Sequence, residues 1–222
     1  MSQIIELFHQ DFDTNICTFL SKQVLIAVKS FNMLLAENKN FFSYPLYSSV
    51  KGNLLNYSIE HCLFDSAFIG KVNYQVYQEN VNSFGRSVLH LKTSHFQMTA
   101  AKTYKPNNLP APAKYKLNYS KHNAGADGQL SFDFVNPSIV EPPYYALLTY
   151  GFDYIMQDCT HINLILPDSE FKNIVDNIDL LHMASRMSIV PKESEVTQTF
   201  AKLKPEFEKQ IGQPLKYHQE GE

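Results

Sequence analysis

The spacing of apolar residues changes twice along this chain, and that change limits the possible folds more than any other feature. Over the first 40 residues apolar side chains recur every three or four positions, which predicts amphipathic helices. From about residue 64 apolar and polar residues alternate, as in strands, and helical spacing returns from 169. This order predicts an α+β fold with an N-terminal helical layer, a central mainly antiparallel or mixed sheet, and C-terminal helices.

Turn and cap signals divide this pattern into elements. Asp13 or Thr14 is expected to cap a second N-terminal helix. The runs 144–150 and 161–166 are apolar on both faces and predict interior strands, joined as a hairpin or meander because the connection is too short for a helix. Alternating residues predict further strands at 68–77, 86–98, 114–119 and 129–135.

The C-terminal part is expected to be helical. One helix should begin after Pro167 with Asp168 or Ser169 as its cap, and a second should span 193–211 with an interruption at Pro205. We expect a single domain over 1–211, with a helical part at 1–40, a strand-rich part at 64–166 and a helical part at 169–211, and a loose acidic tail at 212–222.

The composition is that of a folding cytoplasmic protein from an AT-rich genome, bacterial or phage. Hydrophobic residues make up 44% and charged residues 18%. No unbroken apolar run approaches the roughly 18 residues of a membrane span, and the start lacks a basic leader, so no membrane partner is expected. The three cysteines form no CxxC pair, which predicts reduced thiols.

One segment has a single sign of charge. Residues 80–126 contain seven of the 19 basic residues and none of the 22 acidic ones, in a chain of net charge −3. This predicts an anionic partner, nucleic acid in the first place and an acidic protein as the alternative. Lysines would hold phosphates and tyrosines would stack on bases, and few arginines favour backbone contact over sequence readout. The expected contacts are Arg86, Lys102, Lys105, Lys114, Lys116, Lys121, Tyr115 and Tyr119.

An alternative hypothesis is a metal-dependent nuclease that uses Asp65, Glu79 and Lys92. Nucleases of the restriction-endonuclease type place an acidic residue before an acid-x-Lys triplet, so that carboxylates hold Mg²⁺ and lysine activates water. The triplet ending at Lys92 begins with His90, and Mg²⁺ prefers oxygen ligands, so such a site would be degenerate. Mg²⁺ is the one cofactor considered, and only in this alternative.

Other enzyme signatures are missing from the sequence. It contains no P-loop, GxGxxG or GxSxG motif and no His pairing typical of zinc sites, so we expect no nucleotide cofactor and no metal centre. The leading hypothesis is therefore a non-catalytic binding or regulatory component. A third hypothesis is an assembly subunit whose acidic C-terminal helix meets a basic surface of another protein.

Overall fold

The computed structural model describes residues 2–43, 48–65, 74–81, 87–126 and 143–212, without the side chains of 48–49 and 206–212. As predicted, the protein is α+β, with N-terminal helices, a mixed and mostly antiparallel sheet, and C-terminal helices. The helices are α1 (Gln3–Asp11), α2 (Thr14–Glu37), α3 (Lys39–Phe42), α4 (Ser48–Phe64), α5 (Lys114–Ser120), α6 (Leu180–Arg186) and α7 (Glu193–Gly212). The strands are β1 (Gln75–Asn80), β2 (Ser87–Lys92), β3 (Phe96–Lys102), β4 (Tyr144–Asp153), β5 (Asp158–Pro167) and β6 (Ile174–Asp179).

The strands lie side by side in chain order, β1 to β6. Every neighbouring pair is antiparallel except β3 and β4, which are parallel, with Lys102 opposite Tyr150. The predicted hairpin is present, because β4 and β5 pair with Leu147 opposite Ile165. Parallel neighbours require a long crossover, and here it runs through 103–143 and contains α5.

Different segments cover the two faces of the sheet. The helical layer packs its buried residues, among them Phe8, Leu20 and Leu55, against one face in the main core. On the opposite face a smaller cluster joins Tyr145, Leu147 and Ile165 to Leu109 and Tyr119 of the crossover. Since successive strand residues point to opposite sides, β4 contributes to both clusters.

Asp13 divides the N-terminal helices as expected. Its Oδ1 accepts a hydrogen bond of 2.9 Å from the backbone N–H of Ile16 and so caps α2. By length and composition alone α2 could cross a membrane, although polar residues interrupt its apolar sequence. Of its most apolar window, 61% is buried inside the fold, as in a core helix of a soluble protein.

The prediction of one strand over 86–98 is wrong. The chain turns between Lys92 and Phe96, giving the antiparallel pair β2 and β3. Asp11 at the end of α1 holds this turn, since its Oδ2 accepts hydrogen bonds from Thr93 Oγ1 (2.6 Å) and from the backbone N–H of His95 (2.7 Å). A contact with a distant helix therefore creates a turn that local alternation does not indicate.

The prediction of a strand at 114–119 is also wrong, because these residues form α5. The segment is compatible with a helix as well as with a strand. Lys116 and Ser120 are four residues apart, so they share one helical face, and both are buried. The first part of the expected strand 68–77, all of 129–135, and the tail beyond 212 lie outside the described residues.

Two expectations for the C-terminal part are corrected. No helix begins after Pro167; β6 pairs with β5 instead, Ile178 lying opposite Leu164, and α6 begins at Leu180. Asp179 is its cap and accepts from the backbone N–H of His182 at 2.8 Å. Pro205 lies inside α7, which continues through it without the expected interruption.

The central hairpin should carry a large share of the stability. Leu147 and Ile165 are fully buried, so Leu147→Ala or Ile165→Ala should lower the free energy of unfolding by about 2–5 kcal/mol through lost burial and a residual cavity. Lys114→Ala, on the exposed side of α5, should cost less than about 0.5 kcal/mol. Urea denaturation of the three variants measures this, and equal, small losses would contradict a central position for the hairpin.

Candidate functional site

A cavity lies at the carboxyl end of β3, where the chain leaves the sheet and begins the crossover. Its volume is about 510 Å³, within the range of ligand sites. α4 forms one side, residues 110–116 form another, and Tyr154 of the β4–β5 hairpin contributes to the rim. We call it the crossover cavity. Its polar side chains belong to Asn53, Asn56, Glu60, Lys102, Tyr104, Tyr115, Lys116, Tyr150 and Tyr154.

Lys102, the last residue of β3, brings a half-buried cation to this cavity. Its Nζ donates to the Tyr154 hydroxyl at 3.3 Å and lies 4.6 Å from the centre of the Tyr154 ring. Burial lowers the pKa of Lys102, and none of the carboxylates in the described ranges lies within ion-pair distance of it. Aromatic rings contact this ammonium and no carboxylate in the described part of the chain neutralises its charge, which favours the approach of an anion.

Tyr104 extends from the rim of the crossover cavity. Its side chain is 96% exposed, and its ring centre lies 6.0 Å from Lys102 Nζ. Lys105 follows it and is exposed. The hairpin tip adds Ile155, which is 91% exposed, and Met156, which is 75% exposed. A large exposed ring between two lysines provides a surface on which another flat ring can stack.

Lys116 reaches the same cavity from α5. Its side chain is buried, and its Nζ donates to the carbonyl of Ala111 at 3.1 Å and lies 5.8 Å from the centre of the Tyr115 ring. The loop before α5 therefore holds this ammonium in place. The crossover cavity thus contains two of the predicted lysines, Lys102 and Lys116, and one predicted tyrosine, Tyr115.

Hydrogen-bond acceptors line the α4 side of the cavity. The hydroxyl of Tyr150, which is fully buried, donates to Asn56 Oδ1 at 2.9 Å, and Asn56 Nδ2 donates to Glu60 Oε1 at 2.9 Å. This chain of hydrogen bonds orients the Glu60 carboxylate. The cavity therefore has a cationic end at the lysines and an anionic side at α4.

Lys114, the first residue of α5, and Lys121, which directly follows the helix, lie away from the crossover cavity. Lys114 and Lys121 line a separate open groove that also includes Glu170. Seven residues correspond to about two helical turns, so these two lysines share one face while Lys116 points elsewhere. Helix α5 thus divides the predicted basic residues between two surfaces.

Tyr119 belongs to a polar cluster beneath α5. Its hydroxyl donates to Glu79 Oε2, and burial raises its pKa. The fully buried His90 ring stacks on Tyr77 at 4.9 Å between centres and meets the Tyr119 ring edge-on. Neither His90 nitrogen has a hydrogen-bond partner within the described part of the chain, and Nε2 lies 3.6 Å from Glu79 Oε2. This cluster joins β1, β2 and α5, so Tyr119 has a structural position.

The residues of the nuclease hypothesis are not brought together. Asp65 follows α4 in the helical layer and pairs with Lys202 at 2.7 Å, whereas Glu79 lies on the opposite face of the sheet. Lys92 is exposed at the end of β2, and Glu79 pairs with Val88, roughly 13 Å from Lys92 along the strand at about 3.3 Å per residue. Among the described residues no three His, Cys, Asp or Glu side chains are placed to hold a metal ion.

Sequence reasoning missed several side chains of the cavity. Glu60 and Asn56 lie on a helix that carried no functional signal, and Tyr154 lies more than 50 residues beyond Lys102, in a connection. Tyr104 did carry a signal, because it stands between Lys102 and Lys105. Arg86, another predicted contact, lies outside the described residues.

Comparison with models of known protein families, with characterised proteins and with solved structures finds no match.

Two buried histidines should make the fold sensitive to acid. Burial lowers the pKa of His90 and of His161, whose Nε2 lies 2.7 Å from Thr103 Oγ1. In the unfolded chain both histidines take up a proton near pH 6.5, whereas in the folded protein they do so at a lower pH. The free energy of unfolding should therefore be greatest above about pH 6.5 and decrease as the pH falls below it.

His90→Phe, which keeps a ring against Tyr77, should make this pH dependence shallower. Urea denaturation of the wild type and the variant between about pH 5 and pH 8 measures the two slopes. Parallel curves for the two proteins would show that His90 does not contribute to the acid sensitivity.

Proposed function

We propose that the protein is a non-catalytic binding protein for single-stranded nucleic acid, and that the crossover cavity and its rim form the contact surface. The observation that carries the proposal is Tyr104, whose ring is 96% exposed beside the Lys102 ammonium at the mouth of the cavity. Base stacking on an aromatic ring, together with lysine contacts to phosphate, is the usual way in which proteins hold single strands.

The position of the charges supports this proposal. The chain as a whole has a net charge of −3, so its general field does not attract a polyanion. Lys102 and Lys116 line the cavity, and Lys105 directly follows Tyr104 of its rim, so a phosphate backbone there gains from local contacts. Lysine contacts of this kind give little sequence preference.

The cavity chemistry favours binding over hydrolysis. Glu60 is the one carboxylate among the described lining residues, and a metal-dependent nuclease needs several oxygen ligands to hold Mg²⁺ and activate water. The cavity does contain a triplet that ends in lysine, Ala100-Ala101-Lys102, but alanine stands where the acid-x-Lys pattern needs a carboxylate.

The assembly hypothesis has less support. Two charged side chains of α7 form ion pairs with α2 of the same chain, Glu195 with Lys22 at 2.7 Å and Lys204 with Glu37 at 2.9 Å. They are therefore less available to contact another protein. The exposed residues Ile155 and Met156 directly follow Tyr154, which lines the cavity together with Tyr104. Apolar side chains at the edge of a contact surface can exclude water from it.

Binding should depend on salt and on the rim of the cavity. Fluorescence anisotropy with labelled single-stranded oligonucleotides should show affinity that falls with salt by a slope of about −0.7 per phosphate contact. The double variant Lys102→Gln and Lys105→Gln should reduce that slope by about 0.7 per lysine. Tyr104→Ala should cost about 1–3 kcal/mol of binding free energy through lost stacking.

Lys114 and Lys121, at the two ends of α5, provide a matched control. The double variant Lys114→Gln and Lys121→Gln removes the same charge from the other groove and should weaken binding far less. An equal loss would show that binding does not depend on the cavity lysines in particular, against this proposal. Absence of binding to single- and double-stranded DNA and RNA at low salt would reject it altogether, and would leave an acidic protein as the partner to test.

A further inference from the structure

We propose that the crossover cavity receives one unpaired nucleotide of the bound strand, so that a nucleoside 5′-monophosphate alone is a ligand of the protein. This inference rests on the proposed function and specifies what enters the cavity. The volume of about 510 Å³ is in the range of sites for small ligands and suits one nucleotide better than a stacked run of bases.

The distribution of charge inside the cavity selects for a ligand with two different ends. Lys102 and Lys116 provide cations for a phosphate group. Glu60, in the same cavity, disfavours a simple anion by repulsion, and can accept hydrogen bonds from ribose hydroxyls or from amino groups of a base. A nucleotide carries both kinds of group, whereas inorganic phosphate carries the first alone.

The walls around these groups suit a planar ring. Tyr115 and Tyr154 line the cavity, and Tyr104 stands at its mouth. Lys102 Nζ lies 4.6 Å from the centre of the Tyr154 ring, so the cation and an aromatic surface are adjacent. A base that enters beside these rings can stack while its own phosphate meets Lys102.

The hydrogen-bond chain on α4 holds the acceptor in place before any ligand binds. Tyr150 is fully buried and fixes Asn56, and Asn56 donates to Glu60 at 2.9 Å. Little side-chain ordering is then needed on binding, which lowers the entropic cost for a small ligand.

Isothermal titration calorimetry with nucleoside 5′-monophosphates, the matching nucleosides and inorganic phosphate tests the inference. The monophosphates should bind. The nucleosides and inorganic phosphate should each bind at least about tenfold more weakly, since losing a hydrogen bond to a charged group weakens binding by about tenfold or more. Lys102→Gln and Glu60→Gln should each weaken monophosphate binding by about tenfold, whereas Lys29→Gln, at an exposed position on α2, should not change it. Thermal melting of each variant shows whether it is folded.

The possible results separate this inference from the proposed function. Salt-dependent oligonucleotide binding without any monophosphate binding would overturn the inference and leave the function. Monophosphate binding that neither Lys102→Gln nor Glu60→Gln weakens would place the ligand elsewhere and also overturn it. Monophosphate binding that both variants weaken, without oligonucleotide binding, would support the cavity site and reject the polymer function. If neither monophosphates nor oligonucleotides bind, both the inference and the proposed function are rejected.

Discussion

The parallel pairing of β3 with β4 is the constraint on which the rest of this architecture depends. Two parallel neighbours cannot be joined by a tight turn, so the chain must leave the end of β3, cross one face of the sheet and return to the start of β4. That crossover brings α5 and its loop over the second face. It also opens the crossover cavity, because the chain diverges from the sheet where Lys102 meets Tyr104.

One buried asparagine anchors the segment that directly follows α5. Asn123 is 1% exposed, and its Nδ2 donates to the carbonyls of Tyr145 and Pro167 at 2.9 and 2.8 Å while its Oδ1 accepts from the Tyr145 N–H at 2.8 Å. The side chain thus ties the end of α5 to both strands of the central hairpin. A rigid attachment at this end holds Tyr115 and Lys116 in the wall of the cavity.

The fold concentrates a local positive charge in a protein of net negative charge. Lys102 and Lys116 converge although they are 14 residues apart, and Glu60 faces them from α4, more than 40 residues earlier in the chain. Among the described lining residues this places a single carboxylate beside two ammonium groups. One carboxylate is too few oxygen ligands to hold a divalent metal ion. The proposal of a binding protein rests on that combination.

The sequence by itself determined the helix–sheet–helix order, a helix cap at Asp13 or Thr14, and two interior strands joined as a hairpin or meander, because apolar periodicity and turn residues act over short distances. It also revealed the acid-free segment. Only the tertiary structure decided the turn that Asp11 holds, the edge strand that replaced the helix expected after Pro167, and the helical state of 114–120. Short segments with ambiguous spacing adopt the state that their packing partners favour. That choice separated Lys116 from Lys114 and brought Lys102, Lys116 and Glu60 around one cavity, an arrangement that depends on contacts between residues far apart in the chain.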